Sequence, residues 1–223
     1  MDGKAEIALA LDGMDDRRAL EMVDLLRGRI GLYKVGLELF TRFGPGLVRE
    51  ISARGGGVFL DGKYHDIPST VAGAVRSAAA LDVRMLTLHG SGGEEMLRAA
   101  AGARGEAGTK LLAVTVLTSR SGPETAGEVE RIALLSRETG MDGVVVSARE
   151  AERARSIGGE RFLVVTPGIR PAGTPAHDQA RTATPAEAVR AGADVLVIGR
   201  PITTAADPLR AAEAILEEME RAR

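Results

Sequence analysis

One short segment of the chain carries three charged residues at a spacing that suits proton transfer. Asp61, Lys63 and Asp66 follow an apolar run. Two residues later, Pro68 suits the first turn of a helix. An ammonium beside carboxylates stays protonated, and it can donate its proton to a carbanion, whereas a guanidinium keeps its proton. The segment is therefore a candidate proton-donating site, although a solvated ladder of ion pairs would have the same spacing.

Lysine is scarce in this chain. Of the 29 basic residues only four are Lys, at positions 4, 34, 63 and 110. A chain this rich in Arg meets a general need for surface charge with Arg, so a Lys at the end of a strand indicates chemistry that Arg does not perform. Lys34 and Lys63 both lie at the ends of apolar runs, where an uncompensated charge is costly. With Asp61 and Asp66 they would form an alternating, charge-balanced array.

Short apolar runs alternate with amphipathic stretches along the chain. The apolar runs predict strands near 6–12, 32–36, 57–61, 83–89, 111–118, 143–147, 162–168 and 194–199. The stretches between them predict helices near 15–29, 38–54, 68–81, 93–104, 124–140, 148–157, 184–191 and 206–222. This alternation indicates an α/β protein with a parallel sheet covered on both faces. Eight such units favour a single-domain (β/α)8 TIM barrel over residues 1–223, with a doubly wound open sheet as the competing layout.

In a barrel, polar residues at the carboxyl ends of the strands meet at one mouth. The TPGIRP segment (166–171) and the IGRP segment (198–201) suit the phosphate corner of such a barrel. Backbone N–H groups near Gly199 and the guanidinium of Arg200 can meet phosphate oxygens there. A structural glycine turn followed by a solvated Arg is the alternative. His89, at the end of the fourth predicted strand, is more simply a hydrogen-bonded rim histidine than a base or a metal ligand.

Composition excludes several classes of function. The formal net charge of -2 does not suit a nucleic-acid binder held by counterion release. The chain has no Cys, which excludes disulfides, thiolate nucleophiles and Cys-ligated zinc. Its first residues do not resemble a signal peptide, and nowhere do about 18 apolar residues run together. We expect a cytoplasmic globular domain without a nucleic-acid or membrane partner.

The motif from Asp61 to Thr70, Asp-x-Lys-x-x-Asp-Ile-Pro-x-Thr, resembles the signature of the orotidine 5'-phosphate decarboxylase family. The resemblance continues in the same order through LALD (9–12), YKVGLELF (33–40), LTLHG (86–90), AVTVLTS (113–119), TPGIRP (166–171), DQ (178–179) and VIGRPIT (198–204). It implies a (β/α)8 homodimer that uses no cofactor and no metal ion. The implied reaction converts orotidine 5'-monophosphate to UMP and carbon dioxide, a step of de novo pyrimidine biosynthesis.

The resemblance implies four catalytic residues, namely Lys34, Asp61, Lys63 and Asp66. Lys63 would protonate C6 of the pyrimidine as carbon dioxide leaves. Asp61 would lie beside the departing carboxylate and disfavour it electrostatically. Three residues would reach into the site of the partner subunit across the dimer interface, namely Asp66, Ile67 and Thr70.

The resemblance also implies a substrate-binding role for residues at several strand ends. Asp12 and Lys34 would bind the ribose hydroxyls, and Thr118 would contact the pyrimidine. The phosphate end of the substrate would be held by Pro167, Arg170, Gln179, Gly199 and Arg200, with Gln179 reaching from phosphate to base. The stretch after Thr118 is short for the family, so base contacts from this loop stay open.

Two other functions stay open. Magnesium-dependent sugar-phosphate enzymes of the same suprafamily, such as 3-keto-gulonate-6-phosphate decarboxylase and hexulose-phosphate synthase, share the Asp-x-Lys-x-x-Asp run. They carry an acidic metal ligand at the position of Lys34. A barrel that binds a nucleotide without turning it over is the other alternative. All four charged positions hold the expected residue types, which argues against a decayed site.

Overall fold

The structure, a computed structural model, describes residues 5–116, 125–172 and 182–222. Within them, parallel strands pair in chain order and the last strand pairs with the first, which closes the barrel. The strands are β1 (Glu6–Ala10), β2 (Leu32–Gly36), β3 (Gly57–Tyr64), β4 (Met85–His89), β5 (Lys110–Val114), β6 (Gly143–Val145), β7 (Leu163–Thr166) and β8 (Val195–Ile198). The (β/α)8 barrel is thus confirmed, and the open sheet is excluded.

Helices connect the strands and form the outer layer. They are α1 (Asp16–Leu26), α2 (Leu37–Ala53), α3 (Pro68–Ala79), α4 (Gly93–Ala103), α5 (Thr125–Glu138), α6 (Ala148–Gly158), α7 (Pro185–Arg190), α8 (Arg200–Thr203) and α9 (Pro208–Arg221). Several begin where the sequence provides a cap. Asp15 accepts a hydrogen bond from the backbone of Arg18 at the start of α1, and Thr184 and Glu187 form a capping box on α7.

Two apolar clusters account for the continuous hydrophobic runs of the strands. The interior of the barrel is filled by Ala8, Leu32, Phe59, Met85, Leu112, Leu163, Val165 and Val195. A larger cluster lies between the strands and the helices and includes Leu9, Val35 and Leu60. Successive residues of a strand face these two clusters in turn, so both faces of the strands are largely buried. Apolar residues therefore do not alternate with polar residues along most of each strand. Within the described residues, no helix is long and apolar enough to span a membrane.

The predicted strands and helices agree with the structure within a few residues, except around β3 and at two short helices. The sequence predicts that β3 ends at Asp61, but the strand continues to Tyr64. Its pairing with β4 shifts between Leu60 and Tyr64. The pattern does not predict the 3-10 turn Gly90–Gly92 or the four-residue helix α8, because a single turn is too short to show a helical period.

Candidate active site

The carboxyl ends of the strands surround a cavity of about 490 Å³, a volume in the range of small-molecule sites. Much of its wall is apolar and comes from the barrel strands. Its apolar lining includes Phe59, Val114, Val145 and Val197, and its charged lining consists of Asp12, Lys34, Asp61, Lys63, Arg170 and Arg200. The barrel therefore places most of the predicted charged residues in one cavity, although they come from different strands.

Lys34 lies in β2, and its ammonium lies between two carboxylates. Its Nζ is 2.8 Å from Asp12 Oδ2 and 3.3 Å from Asp61 Oδ2. The side chain of Lys34 is almost fully buried. Burial alone would lower the pKa of Lys34, but the carboxylates of Asp61 and Asp12 outweigh it and raise that pKa above its usual value. Lys34 is therefore a fixed positive charge at this point of the cavity.

Asp61 joins the two lysines. Lys63 Nζ donates a hydrogen bond of 2.7 Å to Asp61 Oδ2, the same oxygen that faces Lys34. Burial alone would raise the pKa of Asp61, but Lys34 and Lys63, with a hydrogen bond from Thr87, outweigh burial and lower it. Asp12, Lys34, Asp61 and Lys63 thus form a continuous chain of alternating charge along the cavity wall.

Lys63 does not reach the cavity by regular strand alternation. Its backbone has φ 48°, in the left-handed region that side chains other than Gly rarely adopt. This conformation occurs where the pairing of β3 with β4 is irregular. Asp61 and Lys63 share the cavity, as the sequence predicts, but a bulge brings them together rather than a two-residue period.

Gly36 allows Asp12 to approach Lys34. A Cβ atom at residue 36 would overlap the Asp12 carboxylate and would lie 3.3 Å from Lys34 Nζ. The missing side chain therefore leaves the space in which this ion pair forms. The role of Gly36 was not predicted from the sequence, because a glycine at the end of an apolar strand carries no local signal for it.

The predicted phosphate corner is present at the ends of β7 and β8. Pro167, Arg170, Gly199 and Arg200 all line the cavity. Arg170 is buried, and its guanidinium donates a 2.8 Å hydrogen bond to the carbonyl of Ile169. Helix α8 begins at Arg200. A guanidinium from each of two neighbouring strand ends, facing one cavity, suits a dianionic group.

Three predicted residues do not line the cavity of this single chain. Asp66 is exposed and accepts a hydrogen bond from the backbone N–H of its neighbour Ile67. The Ile67 side chain is 64% exposed, and Thr70 is exposed on the first turn of α3. Only three of the four predicted catalytic residues therefore meet within one subunit, with Asp12 as the fourth member of the charged chain.

Two further predicted residues, Thr118 and Gln179, lie outside the described residues, so their predicted contacts stay predictions.

His89 is half-buried at the end of β4, and its ring lies 5.6 Å from that of His65. Burial, together with His65 and Lys63, lowers the pKa of His89, which Asp61 only partly opposes. Within the described ranges, no three His, Asp or Glu side chains cluster in a way that could hold a metal ion.

Thr87 also contacts the charged chain, and its role was not predicted from the sequence. It is fully buried in β4, and its hydroxyl bonds both Asp61 and Lys63. The only signal in the sequence is one hydroxyl residue inside the apolar strand MLTLH (85–89). Such a residue is equally compatible with a local bond to backbone, so the pattern alone does not assign it to the site.

Comparisons with known proteins agree with this geometry. Residues 5–215 match the model of the Orotidine 5'-phosphate decarboxylase / HUMPS family. The chain is 49% identical to the orotidine 5'-phosphate decarboxylase of Moorella thermoacetica, over 99% of this chain and 94% of that protein. It is 48% identical to that of Shewanella sediminis, over 96% of each. The crystal structure of orotidine 5'-phosphate decarboxylase from Lactobacillus acidophilus superposes with a TM-score of 0.84 at 34% identity, covering 97% of this chain and 99% of that one.

Proposed function

Because the chain belongs to the Orotidine 5'-phosphate decarboxylase / HUMPS family, we propose that it decarboxylates orotidine 5'-monophosphate to UMP and carbon dioxide, without a cofactor, in de novo pyrimidine biosynthesis. The observation that carries the proposal is the alternating chain Asp12–Lys34–Asp61–Lys63 on the cavity wall. It places a hydrogen-bonded ammonium beside an ionised carboxylate in a mostly apolar cavity. This arrangement can stabilise and protonate a carbanion.

We expect the substrate to bind in the cavity in one orientation. Its phosphate would lie at the corner formed by Pro167, Arg170, Gly199 and Arg200, where two guanidinium groups meet a dianion. Its ribose hydroxyls would then face the charged chain at Asp12 and Lys34. The pyrimidine, which is joined to the ribose, would lie against the apolar part of the cavity wall, with C6 directed toward Lys63. Contacts from Thr118 and Gln179 complete this proposal.

The reaction needs one bond cleavage and one proton transfer. The bond between C6 and the carboxylate carbon breaks, carbon dioxide leaves, and the electron pair remains on C6. The ammonium of Lys63 stabilises this charge and then donates its proton to C6, after which Lys63 is reprotonated from solvent. Asp61 holds the ammonium in place, and its negative charge disfavours the nearby substrate carboxylate.

Lys34 separates this proposal from the magnesium-dependent branch of the suprafamily. That branch has an acidic metal ligand at this position, and here an ammonium occupies the space between Asp12 and Asp61. Because Lys34 and Lys63 already balance the two carboxylates, a divalent cation between them would leave an excess of positive charge and would be repelled by the ammonium groups. The geometry therefore favours metal-independent chemistry on a nucleotide over metal-dependent chemistry on a sugar phosphate.

The test is the loss of orotidine 5'-monophosphate absorbance in EDTA, with wild type, Lys63→Ala and Lys110→Ala compared. Lys110 is the matched control because its exposed ammonium pairs with Asp142, away from the cavity. We expect turnover by wild type and Lys110→Ala, and a loss of about 10²–10⁴-fold in Lys63→Ala. Activity only on a keto-sugar phosphate with magnesium would assign the other branch. Nucleotide binding without turnover would indicate a binding module.

We further propose that the active enzyme is a homodimer in which Asp66, Ile67 and Thr70 complete the partner subunit's site. Supporting this, Ile67 and Leu37 are large apolar side chains that are 64% and 59% exposed, next to the ends of β3 and β2. Asp66 lies beside Ile67 and does not line the cavity of its own subunit.

Hybrid dimers test the shared site. Lys63→Ala and Asp66→Ala are each expected to be inactive, and mixing them should restore activity, since one of the two sites in a hybrid keeps both residues. Absence of recovery after verified subunit exchange would contradict the shared site.

For the location of the enzyme we propose the cytoplasm, which the absence of Cys supports.

A further inference from the structure

Thr87 lies between Leu86 and Leu88 in β4 and is fully buried. Its hydroxyl makes two hydrogen bonds to the charged chain. It accepts from the backbone N–H of Lys63 at 2.9 Å and donates to Asp61 Oδ1 at 2.9 Å. Thr87 does not line the cavity itself. One hydroxyl thus joins the backbone of the proposed proton donor to the carboxylate that holds its ammonium.

The bulge in β3 explains why this hydroxyl is needed. Leu60 pairs with Leu86 and Tyr64 pairs with Leu88, so β3 advances by four residues over a stretch in which β4 advances by two. Thr87 lies opposite the extra residues. Lys63 is turned out of regular strand geometry at φ 48°, and its N–H donates a hydrogen bond to the Thr87 side chain. A buried N–H without a partner would be costly.

The second bond fixes the orientation of the Asp61 carboxylate. Lys63 and Lys34 both face Oδ2, whereas Thr87 holds Oδ1. With Oδ1 held from the β4 side, rotation of the carboxylate would break a bond at either oxygen. The position of the Lys63 ammonium therefore depends on Thr87 twice, through its own backbone and through its carboxylate partner.

We propose that Thr87 is a positioning residue for the decarboxylation. It holds the Lys63 backbone and the Asp61 carboxylate in the one arrangement that directs the ammonium into the cavity. This inference rests on the proposed function, because the proton donor it positions is the one named there. A hydroxyl is required, since it donates to a carboxylate and accepts from an N–H at the same atom. Val has the same shape and does neither.

The kinetic test compares Thr87→Val, Thr87→Ala and Thr87→Ser with the matched control Thr109→Val. Thr109 is also a buried threonine, and its hydroxyl donates to the Val83 carbonyl at 2.7 Å, outside the cavity lining. We expect kcat on orotidine 5'-monophosphate to fall by about ten- to a hundredfold in the Val and Ala variants. KM should change little, and Ser should restore kcat. The control should keep its kcat.

Two kinetic results would overturn the proposal: wild-type kcat in the Val or Ala variant, or a Ser variant as impaired as Ala. If the Val variant does not fold, the Ala and Ser variants still differ by the hydroxyl alone.

Crystal structures of the Thr87→Ala and Thr87→Ser variants test the positioning role of Thr87 without a measurement of activity. We expect the Ala variant to show a rotated Asp61 carboxylate or a Lys63 backbone outside the left-handed region, and the Ser variant to keep both. An Ala variant with the wild-type arrangement would refute the positioning role. If wild type does not turn over the nucleotide, the proposed function fails, and these structures still decide the role of Thr87 in the geometry.

Discussion

Replacing Asp61 by Asn would remove the negative charge that two ammonium groups share. Lys34 and Lys63 lie 3.3 Å and 2.7 Å from Asp61 Oδ2, and the Asp61 side chain is only 13% exposed. Asn has the same shape, so packing is kept while the charge is lost. The two lysines would then face one another around a neutral amide, in a partly buried place where repulsion is weakly screened.

The size of the loss in unfolding free energy depends on how well the remaining groups compensate the charges of Lys34 and Lys63. Removing one partner of a fully buried ion pair costs about 3–5 kcal/mol. Here Asp12 still pairs with Lys34, and the Lys63 side chain is 30% exposed and therefore partly hydrated. We expect the free energy of unfolding near pH 7 to fall by about 2–3 kcal/mol. For a chain of this length the melting temperature would fall by about 5–10 °C.

The pH dependence of this loss in stability gives a sharper test, because the lowered pKa of Asp61 fixes the direction in which the loss changes with pH. The pKa of Asp61 in the fold is lowered from its ordinary value of 3.8. The stability that its charge contributes is therefore fully present above the unfolded-state pKa and is lost as pH falls through the folded-state pKa. The difference in unfolding free energy between wild type and Asp61→Asn should stay constant from about pH 8 to about pH 5 and shrink below about pH 4.

Urea unfolding at several pH values, at one protein concentration, measures this difference. The control is Glu106→Gln, an exposed carboxylate away from the cavity, which should change the unfolding free energy by at most about 0.5 kcal/mol. The reasoning would be refuted by an Asp61→Asn variant as stable as wild type near pH 7. It would also be refuted by a difference that grows as the pH falls.

Two further predictions concern substrate binding. Gly36→Ala should displace the Asp12 carboxylate from Lys34 and lower kcat/KM by about tenfold or more, whereas Gly46→Ala, which has open space for a Cβ, should not; equal kinetics of the two variants would contradict the steric argument. Arg200→Met should raise KM for orotidine 5'-monophosphate by about ten- to a hundredfold. We expect turnover of orotidine, which lacks the phosphate, to be slow, and the same variant should leave that turnover nearly unchanged. An equal loss on both substrates would show that Arg200 does not act through the phosphate.

The order of strands and helices could be predicted from the sequence because each strand and helix carries its own local signal. Parallel barrel strands are buried on both faces, so they appear as short apolar runs, and the amphipathic stretches between them have a helical period. The charged residues at the strand ends could be selected for the same reason, since polar groups after apolar runs must lie at the rim. The scarcity of Lys in an Arg-rich chain likewise indicated Lys34 and Lys63.

The contacts among those residues depend on barrel closure and could not be predicted from any local pattern. Which oxygen of Asp61 faces Lys34, and how far β3 shifts against β4, depend on the register between separate strands. No local signal assigns Thr87 or Gly36 to the site, because their roles are a hydrogen bond and a clearance across neighbouring strands. Local patterns in the chain therefore indicated alternating strands and helices and the chemical types at the strand ends. Closure of the sheet and the contacts among these groups depend on the tertiary structure, because hydrogen bonds and ion pairs between residues distant in the chain form only when the closed barrel brings them together.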